Sequence, residues 1–309
     1  MNEIKIFSPA TVANVSCGFD ALGFALNAVG DEMILKKTAS QGVTVSTIEG
    51  ADLPHNIKKN AASIVALAML NTAKVDFGID IKLFKKVKPG SGLGSSASSA
   101  AGAAIAVNEL LGKPFSNLEL TEFARIGEKV ACGSPIADNV AAVFYGGFIL
   151  VKSYNPLEII KLPVPKELWV TVIHPQIEIK TEDARNVLQP EIPIEDSVRQ
   201  SANLAGLISG LYTDDYELIS SSLEDVIAEP YRKLLIPLFD EIKTAGLENG
   251  ALGVGISGSG PSVFALCKGE NTAKKVAQAF RVAYQKSTID FHIHTSKINN
   301  QGIKILDSK

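Results

Sequence analysis

The first fifty residues alternate between apolar and polar positions. Ile4 and Ile6, and later Met33 and Leu35, stand between polar neighbours, and Val43-Thr44-Val45-Ser46 repeats the pattern. A period of two belongs to half-buried strands, so this stretch is predicted to be β-rich. Between its first strands, Pro9 to Asp20 follows neither the strand nor the helix period. Residues 60–73 carry Ala61, Ile64, Val65, Leu67, Ala68 and Leu70 and predict a buried helix, and Ile79, Ile81 and Leu83 mark a strand over 79–84. A glycine-rich turn at 89–94 leads into an alanine-rich segment, Ser95 to Leu111, predicted as a long helix that closes near Gly112. Ser116-Asn117-Leu118-Glu119 is a capping box and opens a helix through Phe123, Ile126 and Val130. Residues 143–151, with Gly146-Gly147 inside, read as a strand.

Pro156, Pro163 and Pro165 make 154–165 the natural place for a domain boundary, giving domains at 1–160 and 161–309. Beyond it, strands at 168–173, 251–256, 262–267 and 289–295 mix with helices near 195–210, 215–227, 231–246 and 272–286. Segregated runs of this kind predict an α+β fold in both halves. A length of 309 residues suits two domains, since domains run to roughly 100–200 residues each.

Apolar residues make up 46% and charged residues 20%, an ordinary globular balance. Net charge is −3, and the densest basic cluster, Lys85, Lys86 and Lys88, reads as a solvated strand end. No nucleic-acid partner is expected, because one needs a broad basic face. Cys17, Cys132 and Cys267 lack CxxC spacing, which argues against a disulfide framework and a structural zinc site and for a reducing compartment. The N-terminus has no signal-peptide layout. No apolar window approaches the length of about 20 residues that a membrane helix needs, so a cytoplasmic protein without a membrane partner is expected.

Lys88-Pro89-Gly90-Ser91-Gly92-Leu93-Gly94-Ser95-Ser96-Ala97-Ser98 carries the strongest chemical signal. It joins a predicted strand to a predicted helix. Glycines let backbone N–H groups turn toward a ligand, and a helix start adds unpaired donors and the positive end of the dipole. Together they form an anion cradle. No Gly-Lys-Ser/Thr closes the loop, so it is not a P-loop, and Gly-x-Gly-x-Gly spacing is not the dinucleotide fingerprint. On glycines alone a tight connection is as good a reading. The serine run tips the balance, because serine is a middling helix former whose hydroxyls either cap the helix or ligate Mg²⁺ and phosphate oxygens.

Pro89 to Ala97 resembles the central phosphate-binding motif of the GHMP kinases. Pro9-Ala10-Thr11 through Phe19-Asp20-Ala21-Leu22-Gly23 is similar to that family's N-terminal motif, and Gly253 to Ser262 to its C-terminal glycine loop. The three fall in the family's order across nearly the whole chain. Asn14 with Gly18 to Gly23, Ala137-Asp138-Asn139-Val140-Ala141, Thr181 with Arg185, and Glu229-Pro230-Tyr231-Arg232 resemble the homoserine kinase branch in particular. The chain departs from that branch at Ser134-Pro135-Ile136, where a histidine is frequent.

This resemblance implies two α+β domains, the first like the second domain of ribosomal protein S5 and the second ferredoxin-like, in a homodimer. It implies ATP-dependent phosphorylation of the side-chain hydroxyl of L-homoserine, in threonine biosynthesis. The alternative is a mevalonate-type alcohol as acceptor. By motif match, Asn60 and Lys88 lie near the adenosine, Pro89 through Ser98 cradle the phosphates, and Ser96 and Glu128 ligate Mg²⁺. Arg185 and Arg232 hold the acceptor carboxylate and Asp20 and Asp138 its ammonium. Asn14 and Asn139 hold its hydroxyl, and Thr181 and Gly258 line its site. Asn14, Asp138 and Asn139 form the catalytic set, and whether a side chain serves as base is open. Taken singly, Glu128 reads as an exposed helix acid, Asn60 as a helix cap, Lys88 as a solvated lysine, and each Arg as a surface charge. His292 and His294 share a strand face but make a thin metal site, and Cys17 reads as a packing residue.

Overall fold

The alternating N-terminal stretches do pair as strands. A computed structural model describes all residues, 1–309. In chain order the first part holds β1 (Glu3–Ala13), β2 (Leu22–Thr38), β3 (Gly42–Glu49), α1 (Ala61–Ala73), β4 (Gly78–Phe84), α2 (Ser95–Leu110), α3 (Asn117–Cys132), α4 (Asp138–Tyr145), β5 (Phe148–Tyr154) and β6 (Leu157–Leu162). The second part holds β7 (Leu168–Pro175), α5 (Thr181–Asn186), α6 (Ile194–Thr213), α7 (Tyr216–Ser222), α8 (Glu229–Arg232), α9 (Phe239–Glu248), β8 (Ala251–Ile256), β9 (Val263–Lys268), α10 (Glu270–Tyr284), β10 (Phe291–Lys297) and β11 (Lys304–Ser308).

Two sheets result. The first runs β11-β1-β2-β4-β3, with β5 pairing β2 and β6. Its inward side chains, among them Ile4, Ile6, Met33, Leu35, Ile79, Ile81 and Leu83, pack against α1, α2 and α4. The second is antiparallel in the order β10-β7-β9-β8, the ferredoxin-like arrangement. Ile173, Val254, Ala265 and Cys267 share one core with Phe239, Ile242, Val276 and Phe280 of α9 and α10. The opposite face, through Val170, Val172, Phe264 and Leu266, joins Val12, Leu22, Phe24 and Phe148 of the first sheet in a common core. This α+β pair is the architecture the sequence predicts.

Five segments differ from expectation. Val143 to Tyr145, expected to open a strand over 143–151, instead finish α4, because a short apolar run fits both, and Gly146 at φ +62 ends that helix before β5 takes up the rest of the run. The proline-rich stretch at 154–165 is the β5–β6 hairpin of the first sheet. The sheet's edge strand β11 comes from the far end of the chain, so residues beyond 160 help build it. The helix expected over 215–227 stops at Ser222, after which the Asp225 carboxylate accepts the N–H groups of Ile227, Ala228 and Glu229 in a turn of its own. Pro237 divides the helix expected over 231–246 into α8, a short 3₁₀ turn and α9, since its ring cannot continue a helix.

Candidate active site

The three glycine-bearing segments, far apart in sequence, meet in one place. Gly90, Gly92 and Gly94 adopt φ of +65°, +76° and +65°, values that glycine alone takes at no cost. A Cβ on Gly94 would lie 2.0 Å from Thr11 Oγ1, and one on Gly92 would lie 2.4 Å from the Ser257 carbonyl oxygen. The carbonyls from Gly90 to Leu93 all face protein. Gly90 O accepts from Ile179 N, Ser91 O from Ser262 N, Gly92 O from Ser257 Oγ and Leu93 O from Thr11 N. Of the N–H groups from Gly90 to Ala97, only that of Leu93 has a partner, Ser91 Oγ at 3.3 Å. The remaining donors stand at the head of α2, whose Gly94 cap supplies no side-chain oxygen. Unpaired donors at a helix start favour an anion.

A cleft of about 780 Å³ opens in front of this loop. Among its walls are Asn14, Asp20, Asn60, Pro89, Gly90, Gly92, Gly94, Ser95, Ser96, Glu128, Asp138, Asn139, Thr181, Arg185, Arg232 and Gly258. Five of the residues expected here lie elsewhere. Lys88 is exposed and outside the cleft. Ser91, Leu93, Ala97 and Ser98 are buried behind the loop; Leu93 is in the interdomain core and Ala97 is packed on the first sheet. Ser98 Oγ donates to Ser8 O while Ser8 Oγ donates to Ser98 O. These four support the loop by packing and present at most their backbone to a ligand.

Of the cluster Lys85, Lys86 and Lys88, the lysine that does reach the cleft is Lys85. Its place in a basic cluster suggests a solvated side chain, but it continues the inward alternation of Ile79, Ile81 and Leu83, and its side chain is buried against Asp31. Its Nζ also donates to Ser95 O and Ser99 Oγ, both at 2.9 Å. The Asp31 carboxylate accepts from Lys86 N and Val87 N. This network fixes the end of β4 to the first turn of α2. Removing one partner of a buried pair leaves the other charge uncompensated, at a cost of about 3–5 kcal/mol. Chemical denaturation should show a loss of this size for Lys85→Met, with most of it recovered in Lys85→Met/Asp31→Leu. A single variant of wild-type stability would refute the assignment.

Glu128 is also buried rather than exposed. Gly127 permits this: a Cβ there would meet the Ala100 methyl at 2.7 Å, so α3 lies hard against α2. Glu128 Oε1 has no hydrogen-bond partner. Burial pushes its carboxyl up to about 7, with Ser96 and Cys132 pulling the other way. No group of three or more His, Cys, Asp or Glu side chains is arranged to hold a metal. One orphaned carboxylate oxygen beside a serine hydroxyl fits a divalent cation that keeps most of its water and phosphate ligands.

Another part of the cleft wall is built on the turn after β1. Asn14, Val15 and Ser16 take φ of +69°, +45° and +57°. Non-glycine residues there store about 1–3 kcal/mol each. The turn is held by Gly18 N donating to Asn14 O, by Asn14 N donating to Leu22 O, and by the Asn14 side chain, which donates to Gly258 O and accepts from Asp20 N. Arg185 pairs with both oxygens of Asp20, at 3.0 and 2.8 Å, while its buried Nε has no partner. Arg232 donates to Ala184 O and Gly258 O and lies over Phe19, 5.0 Å from the ring centre. Asp138 opens α4, and its Oδ1 accepts from Asn139 N and Nδ2. Burial, and then the Asp20 carboxylate, raise Asp138 to about 7. Asn139 Oδ1 accepts from Thr11 Oγ1 at 2.6 Å. Asn60 lines the cleft and also caps α1, accepting from Ala62 N and Ser63 N.

Families of known proteins share this arrangement. The model for the GHMP kinases N terminal domain matches residues 57–147, and that for the GHMP kinases C terminal matches 207–286. A homoserine kinase of Chlorobium phaeobacteroides (strain BS1) is 44% identical over 320 residues, which is 99% of this chain and 100% of that protein. The chain belongs to the homoserine kinase branch of the GHMP kinases. A homoserine kinase of Pyrococcus abyssi is 41% identical over 91% of this chain and 92% of its own. The crystal structure of a homoserine kinase from Cytophaga hutchinsonii superposes with a TM-score of 0.96 at 47% identity, covering 99% of this chain and 98% of that one. A mevalonate kinase of L. major shares the fold, with a TM-score of 0.72 at 20% identity and coverage of 95% and 96%.

For a GHMP kinase, several wall residues carry no sequence mark. Glu178, Lys180 and Glu182 follow β7 and line the cleft, and their only cue is proximity to Thr181. Cys132 lines it too, with its thiol raised to about 11 by burial and by Glu128. Cys17 is buried and raised to about 12 by the same cause, in keeping with its reading as a packing residue. His174 joins His292 and His294 on one sheet face, outside the cleft. No helix is long and apolar enough to cross a membrane.

Proposed function

We propose that this chain transfers the terminal phosphoryl group of ATP to the side-chain hydroxyl of L-homoserine, giving O-phospho-L-homoserine. The observation that carries the reading is the run of N–H groups from Gly90 to Ala97, unpartnered except at Leu93, which opens beside an arginine pair and a buried carboxylate. The loop and the head of α2 bind the phosphates, and Asn60 lies toward the adenosine. Ser96 and Glu128 would hold Mg²⁺, which when bound neutralises phosphate charge. Arg232 and the free Nε of Arg185 supply donors for the acceptor carboxylate. Asp138 meets its ammonium, and Asn139, steadied by Thr11, and Asn14 direct its hydroxyl. The hydroxyl oxygen bonds to the γ-phosphorus as the bridging oxygen leaves with ADP, taking the electron pair of the broken P–O bond. In a loose transition state the proton is lost late, and a γ-phosphate oxygen accepts it. The homologous homoserine kinases support this acceptor; a purely anionic alcohol leaves Asp138 without a cation to meet. Three free cysteines support a cytoplasmic setting, and a homodimer belongs to the same proposal.

Phosphorus NMR of the purified protein with ATP, magnesium and L-homoserine should show a new phosphomonoester growing as ADP forms, and no such signal with R-mevalonate. ADP formation that is indifferent to homoserine would overturn the reading.

The raised carboxyl of Asp138 gives this site a pH signature. Its folded value stands above the ordinary 3.8, at about 7, so the neutral form dominates in the free protein below that pH. A neutral carboxyl does not attract an ammonium. At saturating ATP and magnesium, kcat/KM for homoserine should fall about tenfold per pH unit below about 7 and level off above it. Asp138→Asn should raise KM and remove this limb. A limb that survives the substitution belongs to another group.

A further inference from the structure

The acceptor end of the cleft is made of two separate pieces, the turn carrying Asp20 and the start of α4 carrying Asp138. Both hold acids, and the two carboxylates repel each other. One side chain outside the cleft ties them together. The hydroxyl of Tyr154, at the end of β5, accepts the N–H of Ala137 at 3.2 Å and donates to the carbonyl of Asp20 at 3.0 Å. We infer that Tyr154 is a positioning residue for the acceptor, holding Asp20 and Asp138 at the spacing an amino-acid substrate requires. This rests on the reading above that Asp138 meets the acceptor's ammonium and that Arg185, which Asp20 holds, meets its carboxylate.

Three further features point the same way. Asp20 sits at φ +53°, an arrangement that persists only where its surroundings hold it, and the phenol bonds that residue's own carbonyl. Ala137 is the residue before Asp138 and caps α4 without a side-chain bond of its own. The Tyr154 ring is itself fixed. Arg125 lies 5.3 Å from its centre, donates through Nε to Pro135 O and pairs with Glu122 at 2.7 Å. Arg125 and Tyr154 thus bracket Ser134 to Ala137, the segment that leads into Asp138. Burial, and then Asp138, raise the phenol above its ordinary range, so it remains an O–H donor wherever the enzyme works.

Phe at position 154 keeps the ring, its packing and the Arg125 contact and removes only the two hydrogen bonds. Wild type is screened first against L-homoserine, L-threonine and R-mevalonate, and the acceptor it turns over fastest is used throughout. A fastest acceptor other than homoserine defeats the substrate reading but leaves the Tyr154 test intact. Tyr154→Phe should raise KM for that acceptor about tenfold, equivalent to roughly 1.4 kcal/mol, and leave KM for ATP within about twofold. Tyr212→Phe, an exposed tyrosine on α6, should change neither constant. An acceptor KM equal to wild type, or equal losses in both KM values, would overturn the inference. Should Tyr154→Phe fold poorly, amide hydrogen exchange of wild type decides. Protection of the Ala137 amide that exceeds its neighbours in the 133–136 segment supports the bond, and unprotected exchange refutes it.

Discussion

Glu128→Gln should lower kcat about a thousandfold while making the nucleotide-free protein more stable. The two effects share one cause. Gly127 lets α3 approach α2 so closely that the Glu128 carboxylate is buried with one oxygen unpartnered. A buried, unpaired polar or charged group costs about 1–3 kcal/mol in mutational data. The amide keeps the shape and removes the charge, so thermal unfolding without nucleotide should shift upward by about 2–4 °C. On the proposed function the same change removes the carboxylate that would hold a cation against the phosphates, and loss of a transition-state electrostatic contact costs on the order of a hundred- to a thousandfold in kcat. Steady-state kinetics and differential scanning fluorimetry read the two arms. A variant that loses stability along with activity would mean that Glu128 is a structural residue.

Gly92→Ala should abolish nucleotide binding without unfolding the chain. Gly92 is the point where the phosphate loop touches the C-terminal glycine loop. Its φ is +76°, and an added methyl would lie 2.4 Å from Ser257 O and 2.7 Å from Gly260 O. Both are backbone atoms, so neither can rotate away as a side chain does. The loops must part, and the bond from Ser257 Oγ to Gly92 O is lost. Adenine nucleotide affinity should drop about a hundredfold or more. At a concentration that saturates wild type a hundred times over, ligand binding stabilises by about 2.7 kcal/mol, and this gain should vanish in the variant. Retention of the full nucleotide-induced shift in melting temperature would show that the two loops do not act together.

Much of the fold is legible from period alone. Ile79, Ile81 and Leu83 announce β4, and the capping box at Ser116 and Glu119 forms as read, with reciprocal bonds. What period cannot give is choice between helix and strand for a short apolar run, as at 143–145, or the destination of a terminal segment, as with β11. The cleft is legible for a different reason. Glycines at alternate positions signal positive φ, and that geometry is what turns the N–H groups outward. Residues acting through the backbone, such as Gly258, or through burial, such as Lys85 and Glu128, look like turns and surface charges until packing is known. Lys88 shows the converse, since nearness to the loop in sequence did not bring its side chain into the cleft. Tyr154 carries no local signal at all, because its partners are 17 and 134 residues away.

The central claim is that peptide N–H groups, rather than side-chain cations, grip the polyphosphate. Backbone amide NMR during titration with a non-hydrolysable ATP analogue and magnesium addresses it residue by residue. The largest shifts should fall on Gly92, Gly94, Ser95, Ser96 and Ala97, in the direction of stronger hydrogen bonding. Saturating nucleotide that leaves these amides unmoved, while shifting others, would contradict the account.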